Sequence, residues 1–251
     1  MTGLAALTER MVRSQLRDDL PFAILAPAGT FVVFNFGLRN VIDTGQMTYA
    51  QYVLPAIIIQ VMFLGALTTV ARAAADQQSN FGVRLRTLPI PATVPLLARM
   101  SYCLLRGALS LAAALAVGYA FGFRISAGFA GAVAFAVLVV TLTLALSLAA
   151  DALGSKASQA EVGTSEASSQ LLLVPQMLLV LLSTGMAPVD SFPAWLHSFV
   201  RYQPVSQVTE TLRGFATGHV SVGNLVASVA WCLGLLAVFA PIAFRMQRRT
   251  Q

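Results

Sequence analysis

The polar residues with the most informative spacing are arginines, and the chemistry they suggest is electrostatic contact rather than catalysis. The polar stretch from Arg72 to Arg99 lies between two long uncharged runs and contains Arg84 and Arg86. Residues 76–88 of this stretch lack proline and mix polar with apolar side chains, which predicts a short surface helix. We interpret this helix as a contact for a soluble partner protein, and an ordinary solvated loop is the alternative. Three prolines follow residue 88 and disfavour a longer helix.

The motifs of ATP binding and of common catalytic sites are missing from the sequence. A P-loop needs a glycine, a lysine and then a serine or threonine, but the one lysine, Lys156, follows Ser155 and precedes Ala157. The two histidines have no metal-ligand spacing, and both cysteines fall inside apolar runs, where packing thiols are expected. We therefore predict no catalytic residue and no metal site in this chain.

The composition identifies an integral membrane protein. Of the 251 residues, 57% are hydrophobic and 10% are charged, and the mean hydropathy is +0.75. A soluble domain, by comparison, carries about 25% charged residues. The formal net charge of +6 could indicate nucleic-acid binding. The arginines, however, stand at the ends of apolar runs rather than on one continuous basic face, so we exclude nucleic acid as a partner.

Six apolar runs predict six transmembrane helices, because a span needs about 20 mainly apolar residues. The predicted spans are residues 21–38, 52–72, 99–123, 125–150, 168–189 and 220–244. Arg106 falls within the third span, near enough to its inner end for the guanidinium to reach the interface. Acids are confined to the ends of the spans, which disfavours coupling to protons or sodium ions. The polar segment 151–167 predicts a flexible connection.

The first twenty residues predict a surface helix rather than a signal peptide, because charges occupy the place of an apolar core. Arg10, Arg13 and Arg17 share one helical face, and apolar residues share another. Such a helix, at residues 4–20, suits the headgroup layer of the inner leaflet, and Pro21 marks the start of the first span. A frayed, partly helical tail is the alternative.

The distribution of basic residues predicts that both termini lie in the cytoplasm. In that orientation eleven basic residues lie inside and four lie outside, as the positive-inside rule requires. The inner set consists of Arg10, Arg13, Arg17, Arg72, Arg84, Arg86, Arg99, Lys156, Arg245, Arg248 and Arg249. The outer set consists of Arg39, Arg124, Arg201 and Arg213.

The outer segment 190–219 is too rich in aromatic and aliphatic side chains for a plain loop. Trp195 and Phe199 stand at helical spacing, and a second helical pattern further along carries Arg213. We predict two short re-entrant helices that dip into the outer leaflet, with Arg201 among their residues. A soluble lid above the membrane is the alternative.

Three features together resemble the permease subunits of ABC-2 type exporters, and within them the daunorubicin-resistance group of actinobacteria. The inner stretch FGVRLRTLPIPATVPLLAR, residues 81–99, is similar to the family's glycine, short helix, Leu-Pro step and closing L-L-A-R. The outer stretch, residues 183–218, is similar to the family's P-x-W, Q-P and R-G signature. The third feature is the order of six spans after an amphipathic start. The likeness covers nearly the whole chain, and the outer stretch is its most specific part.

This resemblance implies a fold, a set of partners and a location. The fold would be all-α and integral to the membrane, similar to a type V ABC exporter, with residues 4–20 as an elbow helix. The partners would be two ABC ATPase subunits, a second permease chain and membrane lipids. ATP and magnesium would bind to the ATPase subunits, so that this chain would hold no cofactor and hydrolyse nothing. The complex would lie in the plasma membrane and export a hydrophobic or amphipathic substrate, either a lipid or a drug.

The resemblance also implies a coupling helix at residues 76–88 that docks on the ATPase. Arg84 and Arg86 would pair with acidic groups there. The contact residues would be Asn80, Phe81, Gly82, Val83, Arg84, Arg86, Thr87 and Leu88. The family often has glutamate four residues before the glycine, whereas Asp76 stands six residues before Gly82 here, which leaves the register of the helix open by one turn.

Five residues of the first, second and fifth spans are candidates for contact with the cargo. They are Asn35, Gln60, Phe63, Gln176 and Met177. Bonding or packing between neighbouring helices is the alternative role for each of them. Two other functions also stay open for the chain: a secondary transporter that works alone, and a membrane anchor or assembly protein that transports nothing.

Overall fold

The computed structural model describes residues 2–39, 47–78, 93–159 and 165–249, and most of these residues are helical. The first five helices are α1 (Thr2–Leu38), α2 (Tyr49–Gln78), α3 (Thr93–Ala120), α4 (Gly128–Gln159) and α5 (Ser165–Leu181). Two 3-10 turns, Val189–Ser191 and Ala194–Leu196, then precede α6 (His197–Tyr202), α7 (Pro204–Thr217) and α8 (Val222–Arg249). No strand occurs in the described ranges, in agreement with the all-α fold expected from the sequence.

Five of the described helices are long and apolar enough to cross a membrane. Their candidate spans are Asp19–Gly37, Tyr49–Ala73, Val94–Ala120, Gly128–Lys156 and Val222–Met246. The predicted fifth span, residues 168–189, is corrected, because α5 ends at Leu181 and its described apolar part, Leu172–Leu181, is shorter than the other spans. Tight backbone turns between residues 182 and 187 end the helix there.

α1 runs without a break from Thr2 to Leu38, with Pro21 and Pro27 inside it. The sequence predicts a surface helix at 4–20 and a separate span from Pro21. This division is wrong, because the backbone forms one continuous helix over both parts. Proline removes one amide donor and crowds the preceding turn. A membrane helix nevertheless continues through proline where neighbouring groups compensate for the lost hydrogen bond.

α1 contacts the other helices through a narrow stripe. Ala23, Pro27, Phe31 and Asn35 are buried at four-residue spacing, which places them along one side of the helix. The other sides carry exposed large apolar side chains, among them Leu25 at 66% exposure. Those sides suit contact with lipid tails or with another chain.

α2 is the central helix of the fold. Every residue from Tyr52 to Ile59 is buried, which is typical of a helix that other helices surround. The largest apolar cluster joins Ile57 of α2 with Phe135 of α4 and Leu212 of α7. α2 therefore packs against both the long helices and the short helix α7.

α4 continues past the end of its predicted span. The sequence predicts a flexible connection at residues 151–167, but α4 is helical through Gln159 and α5 begins at Ser165. The prediction is corrected for these two parts, and residues 160–164 lie outside the described residues. A Cβ added at Gly154 would collide with the carbonyl oxygen of Val70 in α2. Small residues allow such a close approach of two backbones, so the end of α4 packs directly on α2.

Contacts at the two ends of the bundle show that α1, α2 and α3 alternate in direction, with α5 antiparallel to α2. At one end, Asp19 of α1 contacts Arg72 of α2 and Tyr102 of α3. At the other end, the Tyr52 hydroxyl of α2 donates to the carbonyl of Thr184, just beyond α5. We call these the inner and the outer end, following the distribution of basic residues.

Candidate functional site

The predicted re-entrant helices at 190–219 correspond to an outer cap, which we define as residues 189–217. The outer cap comprises the two 3-10 turns, α6 and α7. Trp195 and Phe199 are 79% and 48% exposed, and Arg201 is exposed as well. α7, by contrast, is buried over most of its length, in contact with α2, α4 and α8. The first half of the cap is therefore a surface, and the second half belongs to the interior.

Local sequence signals set the bounds of α7. Pro204 occupies the first helical position, and Gly218 follows the last turn at a φ of 83°, a left-handed conformation that glycine adopts without strain. Gln203, which precedes the proline, donates a side-chain hydrogen bond to the carbonyl of Leu182. The start of α7 is thus held to the turn that follows α5.

Arg213 joins α7 to the rest of the fold through two of its guanidinium nitrogens, and the third pairs within α7. Its Nε donates to the carbonyl oxygen of Tyr52 at 2.8 Å, and its Nη2 donates to those of Thr184 and Gly185 at 3.0 and 3.2 Å. Its Nη1 pairs with Glu210 Oε1 at 2.8 Å. The guanidinium also lies 3.7 Å from the centre of the Tyr52 ring. The Arg213 side chain is 6% exposed, so its removal would take a charged donor away from three buried carbonyl groups.

The sequence assigns Arg213 to the outer segment but does not indicate this anchoring role. The available signal is an isolated arginine on the apolar side of a helical pattern, three residues after Glu210. At that spacing an acid and a base lie on the same side of a helix and can pair. The acceptors on α2 and after α5 are distant in the sequence, so no local pattern identifies them.

A cavity of about 600 Å³ lies between the outer cap and the outer end of α2. Its walls include Tyr52, Thr184, Arg201, Glu210 and Arg213. Aromatic groups and charges of both signs therefore face the same space. Its volume falls within the range of sites that hold drug-sized ligands.

At the inner end three helices meet in what we call the inner ion cluster, consisting of Asp19, Arg72, Tyr102 and Arg106. One carboxylate oxygen, Asp19 Oδ2, accepts hydrogen bonds from Arg72 Nη2 at 2.5 Å and from the Tyr102 hydroxyl at 2.6 Å. Arg106 Nε lies 3.7 Å from the same oxygen. The Arg72 guanidinium lies 5.1 Å from the centre of the Tyr102 ring. The cluster thus ties together the inner ends of α1, α2 and α3.

A second ion pair lies at the inner end, between α3 and α4. Arg99 Nε is 3.0 Å from Asp151 Oδ1, and the two side chains are 9% and 2% exposed. Arg106 is also buried, with 6% of its surface exposed, and its guanidinium lies between helices at the inner end, 3.7 Å from Asp19 Oδ2. Carboxylates of neighbouring helices hold these charges inside the bundle, because nearby opposite charges offset part of the desolvation cost.

Two of the candidate cargo contacts, Gln60 on α2 and Gln176 on α5, lie at the same depth. Ala56 and Val180 belong to one apolar cluster of these antiparallel helices, and each glutamine stands one turn further toward the inner end. Gln60 Oε1 and Gln176 Nε2 are buried and have no hydrogen-bond partner among the described residues. The structure therefore brings two incompletely bonded amides to neighbouring helices.

The other three candidates are placed differently. Phe63 packs against the same cluster and also lines an apolar cavity of about 170 Å³. Asn35 is buried on the packing stripe of α1, and Met177 is 44% exposed on α5. These five residues consequently do not line one common pocket.

The predicted coupling helix lies mostly outside the described residues. This applies to each of its candidate contacts, Asn80, Phe81, Gly82, Val83, Arg84, Arg86, Thr87 and Leu88. The predicted start at Asp76 is corrected, because α2 extends to Gln78, and α3 begins at Thr93. The side chains of Arg10, Arg13 and Arg17 also lie outside the described part. The coupling segment is thus flanked by α2 and α3, two of the helices that the inner ion cluster joins.

Known proteins match this sequence over much of its length. The pattern of the ABC-2 type transporter family matches residues 2–216. The chain is 25% identical over 225 residues to the daunorubicin resistance ABC transporter permease protein DrrB1 of Streptomyces coeruleorubidus, a match that covers 90% of this chain and 78% of that relative. It is 35% identical over 74 residues to the probable doxorubicin resistance ABC transporter permease protein DrrC of two Mycobacterium tuberculosis strains, CDC 1551 / Oshkosh and ATCC 25618 / H37Rv. This match covers 29% of the chain and 27% of DrrC, so the chain aligns with about a quarter of the length of these relatives.

These matches confirm the resemblance drawn from the inner and outer stretches. The family match covers the whole inner stretch and nearly all of the outer one. The relatives are named as permeases rather than as ATPases, in agreement with the absence of a P-loop motif from the sequence. The apolar helices and the family together indicate a multi-pass protein of the cell membrane. The chain belongs to the ABC-2 type transporter family.

Proposed function

We propose that this chain is the permease subunit of an ATP-driven exporter that moves a hydrophobic or amphipathic substrate out of the cell. The observation that carries the proposal is the family match over residues 2–216, in a sequence that has no P-loop motif. ATP and magnesium would bind to separate ABC ATPase subunits, and a second permease chain would complete the assembly. The relatives are named for resistance to daunorubicin and doxorubicin, so a drug is the preferred cargo and a lipid is the next.

The proposed topology has six spans with both termini in the cytoplasm. α5 would be the fifth span, since its 17 residues extend about 25 Å at 1.5 Å per residue, close to the ~30 Å hydrocarbon thickness of a bilayer. The 37 residues of α1 extend about 55 Å, so the first half of α1 would project beyond the inner face. We expect this half, which includes Arg10, Arg13 and Arg17, to contact lipid headgroups beside the ATPase.

Movement of the ATPase would reach the permease through residues 79–92, which connect α2 to α3. Arg84 and Arg86 in this segment suit acidic groups in a docking cleft, where arginine forms strong paired hydrogen bonds. The inner ion cluster joins α1, α2 and α3 near the start of this segment, through hydrogen bonds of 2.5 and 2.6 Å to Asp19. A displacement of the segment would therefore move the three helices together.

The cargo would pass from the inner leaflet along α2 and α5 to the cavity beneath the outer cap. Gln60 and Gln176 each keep a buried amide atom that has no partner in the described chain and that suits a polar group of the cargo. Phe63 and Met177 would provide apolar contact, and Asn35 a further polar group on α1. The cavity of about 600 Å³ at the outer end would receive the cargo before release.

Transport by the reconstituted complex tests this function. The chain is purified together with its ATPase and any second permease, and ATP-dependent movement of daunorubicin or of a fluorescent lipid is measured in proteoliposomes. We expect the double change Arg84→Glu and Arg86→Glu to uncouple ATP hydrolysis from transport. Arg248→Glu with Arg249→Glu makes the same change of charge elsewhere on the inner side and is expected to leave transport intact.

The outcomes separate the proposed function from its alternatives. Transport by the chain alone, without ATP, would show a secondary transporter, and the absence of any complex with an ATPase would show an anchor or assembly protein. Normal coupling in the Arg84 and Arg86 variant would exclude the docking role of that segment while leaving the assignment as a permease intact.

A further inference from the structure

A small cavity of about 30 Å³ lies between α2, α3 and α4, beside the inner ion cluster. Arg72, Arg99 and Arg106 line it, together with hydroxyl groups that include those of Ser110 and Ser147. Among the described residues, no carboxylate lines this cavity. Its polar wall is therefore rich in hydrogen-bond donors. The carboxylates that pair with Arg72 and Arg99 lie outside the lining.

Arg106 has few acceptors for its guanidinium in the described part of the chain. It is 6% exposed, and its Nε has no hydrogen-bond partner there. The 3.7 Å from Nε to Asp19 Oδ2 is too long for a hydrogen bond, and the same oxygen already accepts from Arg72 and Tyr102. A buried guanidinium keeps its charge and is costly to bury without acceptors.

The surrounding backbone leaves room for the Arg106 guanidinium. A Cβ added at Gly65 would lie 2.7 Å from Arg106 Nη1, and a Cβ added at Gly107 would lie 2.9 Å from Thr143 Cγ2. Larger residues at these two positions would displace the arginine or separate α3 from α4. The guanidinium is thus positioned at the cavity by the shape of the helices, in addition to the charge of Asp19.

The volume of the cavity limits what it holds, because one water molecule needs roughly 10–15 Å³ of such space. One small ion or a pair of water molecules fits, whereas a drug or a lipid phosphate does not. Water accepts hydrogen bonds but leaves the charge of Arg106 in place, and a small anion supplies both an acceptor and an opposite charge. We propose that the cavity is a binding site for one small monovalent anion, such as chloride, with Arg106, Ser110 and Ser147 as donors.

The anion would supply an acceptor and an opposite charge to Arg106, whose Nε has no hydrogen-bond partner among the described residues. It would also connect α2, α3 and α4 at the depth of Arg106. This site goes beyond the proposed function, because it depends neither on the cargo nor on an ATPase. A chain that binds the anion but transports nothing would contradict the proposed function and leave the anion site supported.

Halide-dependent stability of the purified full chain in a neutral detergent tests the proposal. Thermal unfolding is followed by tryptophan fluorescence while sodium chloride or sodium bromide replaces sodium gluconate at constant ionic strength, which keeps general screening constant. We expect the unfolding midpoint to rise and saturate with chloride and bromide but not with gluconate, because a ligand that binds only the folded state stabilises it.

Variants of the cavity wall assign the effect to this site. Arg106→Gln removes the charged donor, and the chloride concentration for half of the effect is expected to rise about tenfold or more. Ser147→Ala removes one hydroxyl from a small buried position and is expected to raise this chloride concentration by a smaller factor. This variant tests the site if Arg106→Gln does not fold. Arg245→Gln makes the same change of charge at an exposed inner position and should leave the chloride response unchanged. The proposal is overturned by an equal response in wild type and cavity variants, or by equal midpoints in chloride and gluconate, which would show that water fills the cavity.

Discussion

Replacing Asp19 with asparagine removes the carboxylate of the inner ion cluster. The amide has nearly the same shape, so the change tests charge rather than packing. Asp19 Oδ2 accepts hydrogen bonds at 2.5 Å from Arg72 and at 2.6 Å from Tyr102, and Arg106 Nε lies 3.7 Å away. In Asp19→Asn two arginines therefore face a neutral group, and both short hydrogen bonds lose their charged acceptor.

The expected loss of unfolding free energy is about 2–3 kcal/mol. Removal of one partner from a fully buried ion pair costs about 3–5 kcal/mol. The side chains of Arg72 and Asp19 are 26% and 17% exposed, so water screens part of the attraction and the lower estimate applies. Hydrogen bonds to charged groups contribute about 1.5–3 kcal/mol each, and the amide oxygen of asparagine retains a neutral acceptor in their place.

Unfolding of the purified chain in mixed micelles, as a denaturing detergent is added, measures this change. Asp190→Asn makes the same chemical change at an exposed position of the outer cap and is expected to alter stability by less than about 0.5 kcal/mol. A double-mutant cycle of Asp19→Asn with Arg72→Gln isolates the pair, and we expect a coupling energy of about 1–2 kcal/mol.

Arg106→Gln supplies the sharpest check of the electrostatic reasoning. Asp19→Asn leaves an excess of positive charge in the cluster. The double variant Asp19→Asn with Arg106→Gln is therefore expected to regain part of the stability that Asp19→Asn alone removes. A double variant less stable than Asp19→Asn alone would refute the explanation by charge balance. Wild-type stability of Asp19→Asn would refute the stabilising role of the cluster altogether.

Three further changes test the outer cap and the close contacts between helices. Arg213→Lys is expected to destabilise the cap by about 2–4 kcal/mol, because lysine lacks the planar fork that reaches several carbonyl groups, and faster proteolysis within the cap would show it. Gly185→Ala is expected to lower the yield of folded protein in size-exclusion chromatography, since its Cβ would lie 2.5 Å from that of Ala56, and Ala56→Gly is expected to restore the yield. Gly154→Ala is expected to lower the thermal unfolding midpoint by separating α4 from α2, whereas Gly234→Ala, where a Cβ meets nothing within 4 Å, is expected to be neutral or slightly stabilising.

The long helices are predictable from the sequence because their signal is local. A span requires about 20 consecutive apolar residues, and the candidate spans Tyr49–Ala73, Val94–Ala120, Gly128–Lys156 and Val222–Met246 lie where such runs occur. Helix ends are less predictable, since they depend on contacts with other helices. α4 remains helical beyond Asp151, and Gly154 in this part packs closely on α2. No run of apolar residues indicates that contact.

The roles of single charged residues are not predictable in the same way. The carbonyl acceptors of Arg213 lie 28, 29 and 161 positions away in the sequence, and Tyr102 lies 83 positions from Asp19. A count of basic residues treats each arginine as an independent charge at the membrane surface. Such a count therefore predicts the side on which Arg213 lies but not that it is buried, and the coupling segment and cargo contacts stay predictions.

α2 connects the two arginine sites across the thickness of a membrane. Tyr52, which binds Arg213, and Arg72, which binds Asp19, are twenty residues apart on this helix, a distance of about 30 Å at 1.5 Å per residue. This distance matches the hydrocarbon thickness of a typical bilayer, about 30 Å, so each site lies near an interface, where charged groups are less costly. The segment between them is closely packed, and packed helices move as rigid bodies rather than deforming. A displacement of α2 from the inner side would therefore act directly on the Arg213 contacts that hold the outer cap, which is the connection that the proposed exporter requires.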